Sequence, residues 1–415
     1  MKIFINRKNK KLNIIILLIT IVLVLTNISY AYLDENENIN EDIKDITIET
    51  MKNINEKPIV NSRVGLIFDR NSKTILYEKN GLKQVPMAST TKIMTAIVTL
   101  ENANLKDIVT IDKKSASIGG SRLKLKVNDK ITVNDLLYGL MLRSGNDAAV
   151  ALAIHVGGSV EKFADMMNAK AKEMGWVNSH FISPHGLDNK EHYTTAYELA
   201  CMADYALQKN KFKEIVGTKS CNIYINGKPR TITNTNELLK NLNGVYGVKT
   251  GFTNGAGRCL VTSCKRGNLD IITVVLGANT KKIRTQDSIK LIEYANRNYK
   301  VVDFKKNIEE NFEKWKLLNQ RRIYINKGKT QSISLKLEDM PYTKRAILNM
   351  EVDNIDLEIN CLYNLEAPIN ENEIIGTVKI KVKGNIIDTI NIKNESQIQK
   401  KEILDYFIDF LSLLP

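Results

Sequence analysis

Cysteine, histidine, proline and tryptophan are all sparse in this 415-residue chain, numbering five, four, seven and two. The cysteines (Cys201, Cys221, Cys259, Cys264 and Cys361) are odd in number and include no C-x-x-C pair, so they supply neither a disulfide framework nor a zinc cage. Cys259 and Cys264 fall in an apolar, strand-like stretch, where buried free thiols are expected. The histidines (His155, His180, His185 and His192) include no H-E-x-x-H, which argues against a zinc peptidase. These residues suggest no cofactor and no metal. Acidic residues are in deficit as well, 46 against 60 basic ones, for a formal charge of +14.

The first thirty-one residues contain five cations (Lys2, Arg7, Lys8, Lys10 and Lys11) and no acid. The apolar run Ile14–Leu25 follows, too short for a comfortable membrane span, and Ser29-Tyr30-Ala31 then places small residues at −3 and −1 of a cleavage site. This order reads as a secretory signal peptide over 1–31, with an uncleaved anchor as the alternative. No cysteine follows the apolar run, which argues against a lipoprotein. Without the leader, 55 basic residues face 46 acidic ones, a net +9. For an exported chain that surplus suits anionic wall polymers or headgroups and makes nucleic acid a poor first choice, although a Lys- and Asn-rich genome would produce it too.

Residues 32–57 are polar and acidic without a clear period and read as a flexible spacer. From Val64 to Asn80 two strands around a turn are expected, and from Ile93 the apolar spacing turns helical. "LKLKV" (123–127) alternates like a short strand. Residues 132–158 predict two helices with a break at Ser144–Asn146, Thr132 and Asn134 being plausible caps. Another helix opens at Ser159 and stops at Gly175. Residues 220–276 are rich in β-branched segments, and 287–299 reads as a closing helix. The sum is an α/β domain over 58–301, with a mainly antiparallel sheet and a helical subdomain. A small all-β domain is expected over 302–393, with almost no helix signal. Residues 394–415 read as an amphipathic helix.

The chemistry starts from S-x-x-K, which occurs three times: Ser89/Lys92, Ser121/Lys124 and Ser159/Lys162. Ser121 follows two glycines and precedes the alternating stretch, so Lys124 would not sit beside it. Ser159 reads as an N-cap. Only Ser89 opens a helix whose next turns are apolar enough to be buried. Further on come Ser144-Gly145-Asn146, in the break between two helices, and Lys249-Thr250-Gly251, at a strand edge. A serine hydroxyl is a poor nucleophile until a base takes its proton. Lys92 can be that base only when neutral, and burial or a neighbouring cation such as Lys249 favours the neutral form. Ser144 is suited to relaying a proton to the leaving amine, and Asn146 to holding Lys92 and a substrate amide. A strand edge at Lys249-Thr250-Gly251 offers main-chain groups to an extended peptide, with Lys249 and Thr250 placed for a carboxylate. The backbone N–H groups of Ser89 and Phe252 would form the oxyanion hole.

S-x-x-K, S-x-N and K-T-G, in that order, form the signature of penicillin-binding proteins and serine β-lactamases. From about Ile59 to Tyr299 the chain resembles D-alanyl-D-alanine carboxypeptidases of the low-molecular-mass penicillin-binding class. The blocks that carry the likeness are "MASTTKIMTA", "MLRSGNDAAVALA", "FISPHGLD", "YTTAYELA", "GVKTGFTNGAGRCLV" and "ITVVLGA". "SPHGL" departs from the family, which more often has Asn before the Pro. The resemblance implies a β-lactamase/transpeptidase-like fold and a peptidoglycan stem peptide ending in D-Ala-D-Ala as substrate, with β-lactams acylating the same serine. It also implies a carboxylate-binding role for Arg284, packing or loop roles for His155 and His185, and a C-terminal helix that anchors the protein to the membrane surface. The expected address is the outer face of the cytoplasmic membrane or the wall space of a Gram-positive-type bacterium. A class A β-lactamase would need E-x-x-L-N between Asn146 and Lys249, and none is found. A β-lactam sensor would need a signalling span and a cytoplasmic domain. Transpeptidation by the same acyl-enzyme stays open, because only the acceptor differs.

Overall fold

The computed structural model describes residues 43, 45–47, 57–340 and 343–412. The expected leader and almost all of the expected spacer lie outside these residues. The chain divides into two compact units, one formed mainly by residues up to Ala295 and one by Asn296 onward.

The first unit opens with β1 (Val64–Asp69) and β2 (Thr74–Lys79). A 3-10 turn, Ala88–Thr91, leads directly into α1 (Lys92–Asn102), followed by β3 (Ile108–Thr110), α2 (Lys113–Ser117) and β4 (Lys130–Thr132). Next come α3 (Val133–Leu142), α4 (Asn146–Gly157), α5 (Val160–Glu173), α6 (Ala196–Leu207) and α7 (Asn210–Gly217). The hairpin β5 (Ser220–Ile225) and β6 (Lys228–Thr233) precedes α8 (Leu238–Asn241). The unit closes with β7 (Val245–Thr253), β8 (Gly257–Arg266), β9 (Leu269–Ala278) and α9 (Lys281–Asn298). The main sheet has the order β2-β1-β9-β8-β7, which leaves β7 on an edge.

Local chemistry explains several boundaries. Thr132 caps α3 by accepting from the Asp135 N–H, and Ser159 caps α5 by accepting from the Lys162 N–H. Gly158 ends α4 in the left-handed conformation. Ile93, Met94, Ile97, Leu136, Leu140, Val150 and Leu152 belong to one buried cluster that includes Phe68, Val261 and Ile272 of the sheet. Cys259 and Cys264 are buried free thiols, and burial pushes both up to about 11.

Residues 123–127 are not a strand. Leu123 and Leu125 are buried, but their N–H groups donate to the Asp147 carboxylate at 2.9 and 3.1 Å, and Lys124 adopts φ +59°. The alternation is genuine, but the segment is tied to one carboxylate instead of to a sheet.

The second unit contains β10 (Tyr299–Asp303), α10 (Lys305–Asn319), β11 (Tyr324–Asn326), β12 (Leu335–Leu337) and β13 (Lys344–Leu348). Then come β14 (Ile355–Cys361), β15 (Asn364–Glu366), β16 (Ile374–Val382), β17 (Asn385–Asn394) and α11 (Ile403–Ser412). Its largest sheet has the order β12-β17-β16-β14. Strands dominate, as expected, yet α10 corrects the reading of a segment almost without helix. Ile308, Phe312 and Trp315 recur at helical spacing, the first two are buried, and all three join the core of this unit. The terminal helix is also shorter than residues 394–415. Asn394 ends β17, Ile398 is buried and bridges Ile369, and helix begins only at Ile403.

Candidate active site

The turn Ala88–Thr91 places Ser89 at the mouth of α1, half-buried, between buried Ala88 and Thr90. Ala88 adopts φ +48° and Ser144 φ +59°, so both the turn before the serine and the break between α3 and α4 hold non-glycine residues in the left-handed region. Such residues cost on the order of 1–2 kcal/mol each, and the surrounding packing has to hold them there.

Lys92 lies one turn after Ser89 with none of its surface exposed. Its Nζ has three oxygen partners: Ser89 Oγ at 2.8 Å, Asn146 Oδ1 at 2.8 Å and the His185 carbonyl at 2.9 Å. Asn146 Nδ2 donates to the Gly119 carbonyl at 2.7 Å, which turns Oδ1 toward the lysine. Two of the three partners can therefore only accept. A neutral amine has two N–H bonds and one lone pair. With both N–H bonds spent on Asn146 and His185, the lone pair is left for the Ser89 O–H. Burial, then the Lys249 cation, hold Lys92 well below the ordinary lysine range, against an opposing pull from Asp147.

Lys249 is itself 1% exposed and donates to the Thr250 carbonyl at 2.8 Å. Burial and then Arg284 bring it down to about 7. Strand β7 carries Lys249, Thr250, Gly251 and Phe252 past the Ser89 turn. A Cβ on Gly251 would stand 3.1 Å from the Ser89 nitrogen and 3.2 Å from the Thr90 nitrogen, so glycine lets the strand lie this close. Thr250 Oγ1 is 2.7 Å from Thr235 Oγ1. Phe252 is partly exposed and has the Arg258 guanidinium over its ring at 3.8 Å.

Two of the expected site residues sit differently from the rest. Arg284 is 4% exposed, and its guanidinium donates to Glu237 at 2.7 Å, where Lys281 also pairs at 3.1 Å. It bears on the site through its charge on Lys249. Ser144 is buried beside Asn146 but is not among the three partners of Lys92.

Several supporting groups were missed in the sequence. The loop after Ser183 is one. Its His185 carbonyl holds Lys92, and Thr95 Oγ1 donates to the Pro184 carbonyl at 2.7 Å. Gly186 has φ +79°, and a Cβ there would fall 2.0 Å from the Ala88 carbonyl oxygen. His192 supports the same turn from beneath. Its Nδ1 accepts from the Ile182 N–H at 3.0 Å, so Nε2 carries the proton and donates to Thr91 Oγ1 at 2.7 Å. Thr91 in turn donates to the Ala88 carbonyl. Burial holds His192 at about 4 and His185 at about 3, so both are neutral at pH 7. Asp147 is the third, through the ties to 123–125 given above. The one sequence cue for these groups was "SPHGLD", whose proline and glycine mark a shaped loop.

Among the described residues no group of three or more His, Cys, Asp or Glu is placed to hold a metal ion.

Residues 51–280 match the family model described as D-alanyl-D-alanine carboxypeptidase, and residues 312–400 match that of the penicillin-binding protein 5 C-terminal domain. The D-alanyl-D-alanine carboxypeptidase DacF of Bacillus subtilis (strain 168) is 31% identical over 83% of this chain and 88% of its own. The crystal structure of penicillin binding protein 5 from Haemophilus influenzae is similar at 27% identity and a TM-score of 0.69, over 83% of this chain and 99% of that one. The crystal structure of the Streptomyces K15 DD-transpeptidase is similar at 36% identity and a TM-score of 0.55, over 58% of this chain and 98% of that one.

Proposed function

The chain belongs to the D-alanyl-D-alanine carboxypeptidase family, and from that premise we propose that it removes the terminal D-Ala from peptidoglycan stem peptides through an acyl-enzyme on Ser89. The observation that carries the mechanism is the coordination of Lys92, two acceptors and one hydroxyl around a buried amine. As Ser89 Oγ bonds to the carbonyl carbon of the D-Ala-D-Ala bond, its proton passes to the Lys92 lone pair. Negative charge collects on the carbonyl oxygen, facing the N–H groups of Ser89 and Phe252. When the C–N bond breaks, the leaving amine takes a proton by way of Ser144. Water then adds to the ester carbonyl and loses a proton to Lys92, which passes it to Ser89 Oγ as the ester C–O bond breaks, restoring the neutral amine. The peptide lies along the free edge of β7, with its carboxylate toward Thr250 and Lys249 and with Asn146 on its amide. A β-lactam acylates the same serine.

The acceptor in the second step is water in this reading. A similar structure is titled a DD-transpeptidase, so transfer to an amine is the competing reading. The leader over 1–31 supports export to the wall space or the outer face of the cytoplasmic membrane. The C-terminal helix is the proposed membrane-surface anchor: Ile403, Leu404, Phe407, Ile408, Phe410 and Leu411 are all exposed on it. Among the described residues no helix is long and apolar enough to cross a membrane.

The test is release of free D-Ala from a peptide ending in D-Ala-D-Ala by protein lacking residues 1–31, alongside labelling with a fluorescent penicillin. Ser89→Ala is expected to abolish both. D-Ala release by that variant would refute the mechanism, and penicillin labelling of the unchanged protein without release would favour a β-lactam sensor.

A further inference from the structure

Beside the proposed reaction site lies a cleft of about 300 Å³ with an unusual lining. It is bounded by residues 122–124, Arg143 and the end of β6, and it presents Arg122, Lys124, Arg143 and Arg230 with no carboxylate. Arg230 is engaged, donating to the Leu123 carbonyl. Arg122, Lys124 and Arg143 are exposed, and none makes an ion pair among the described residues. Like charges gathered without a counter-ion repel one another and raise the local positive potential, a cost that a bound anion would relieve.

Its position is tied to the site by three connections. Arg143 directly precedes Ser144. Thr233, in the lining, lies two residues before Thr235, which bonds Thr250. The segment carrying Arg122 and Lys124 is pinned to the group that holds Lys92: the Ser121 carbonyl accepts from the Asn146 N–H at 2.7 Å, and Asn146 Nδ2 donates to Gly119. Ser144 and Thr250 face the leaving amine and the terminal carboxylate in the reading above, so this cleft borders the leaving-group end. The acyl end lies toward Phe252 and Thr253, farther along β7.

Of the two cations expected at the carboxylate, Arg284 is committed to Glu237 and Lys249 is buried at the seat itself, so neither reaches out to solvent. Arg284 is 4% and Lys249 1% exposed, whereas Arg122, Lys124 and Arg143 stand in solvent. We infer that Arg122, Lys124 and Arg143 form an anion-capture subsite for the C-terminal carboxylate of the incoming peptide, occupied before that carboxylate seats against Thr250. The subsite rests on the carboxypeptidase reading. It raises the population of the encounter complex, so it acts on kcat/KM and on its salt dependence. These three are positioning residues and take no part in bond making.

The test compares acylation of the purified protein by benzylpenicillin, whose carboxylate mimics the peptide terminus, with acylation by its uncharged methyl ester. Between 20 and 500 mM KCl the second-order rate for the acid is expected to fall about five- to tenfold, and that for the ester less than about twofold. In the combined variant Arg122→Gln, Lys124→Gln, Arg143→Gln the salt dependence for the acid is expected to flatten to that of the ester. Arg143→Gln alone is expected to lie between. Equal salt responses of acid and ester in the unchanged protein would overturn the subsite and leave the carboxypeptidase reading intact. So would a variant with an unaltered slope, or one that loses only binding of polyglycerol phosphate, which would mark a wall-polymer site. Failure of both probes to acylate would overturn both readings.

Discussion

At the scale of single residues the proposed mechanism depends on two buried lysines with different tasks. Lys92 has to be neutral to accept the Ser89 proton, and Lys249 has to be charged to meet a carboxylate. Their environments lower both, Lys92 by burial and by Lys249, Lys249 by burial and by Arg284. The sign of the pH dependence follows. The rate falls on the acid side as Lys92 takes up a proton, and on the alkaline side as Lys249, at about 7, loses one. Lys249→Arg keeps a cation that cannot titrate in this range. In a pH profile of kcat/KM for D-Ala release, the alkaline limb of the unchanged protein should be absent from that variant. An alkaline limb that persists would assign it to another group.

At the scale of elements, the loop from Ser183 to His192 acts as a support for the nucleophile turn. Gly186→Ala puts a Cβ against the Ala88 carbonyl in a conformation that alanine resists. The loop should move off, taking the His185 carbonyl from Lys92, and penicillin acylation should slow by about tenfold or more while circular dichroism shows a folded protein. His192 serves stability. Its ring makes one buried and one part-buried hydrogen bond, so His192→Ala should cost about 2 kcal/mol in denaturant unfolding. The pH dependence has a definite direction. Between the ordinary histidine value of 6.5 and the folded values of about 4 and 3, the unfolded chain binds protons that the native chain does not. Stability therefore falls as pH drops through that window, and losing His192 should remove roughly half of the slope, leaving the His185 share.

At the scale of the whole molecule, attachment is the property in question. Residues up to Lys401 are built into the second unit, since Ile398 is buried and the Lys401 N–H donates to the Lys327 carbonyl. Removing 402–415 therefore takes away the exposed apolar helix and spares that unit's core. In fractionated cells the truncated protein should move from the membrane pellet to the soluble wall fraction, with penicillin labelling retained. A truncated protein that stays in the pellet would argue for anchoring elsewhere, the unprocessed leader included.

Read by itself, the sequence determined the reaction class and the broad α/β and β layout, because both depend on local signals. Three triplets in a set order singled out Ser89, Lys92, Ser144, Asn146 and Lys249 as the candidates on which the proposal rests. Caps such as Thr132 and Ser159, and the β-branched stretches of β8 and β9, marked elements whose cause is a few neighbouring residues. The Ile308, Phe312 and Trp315 spacing of α10 is equally local. The tertiary structure decided what depends on partners far along the chain. It turned the alternating 123–127 segment into a loop tied to Asp147, and it committed Arg284 to Glu237, 47 residues away. It also brought the His185 carbonyl to Lys92 across 93 residues. A backbone carbonyl has no sequence signature, since every residue carries one. The charge state of Lys92 depends on the exclusion of water and on the Lys249 cation, distant in sequence, and only the fold brings these together.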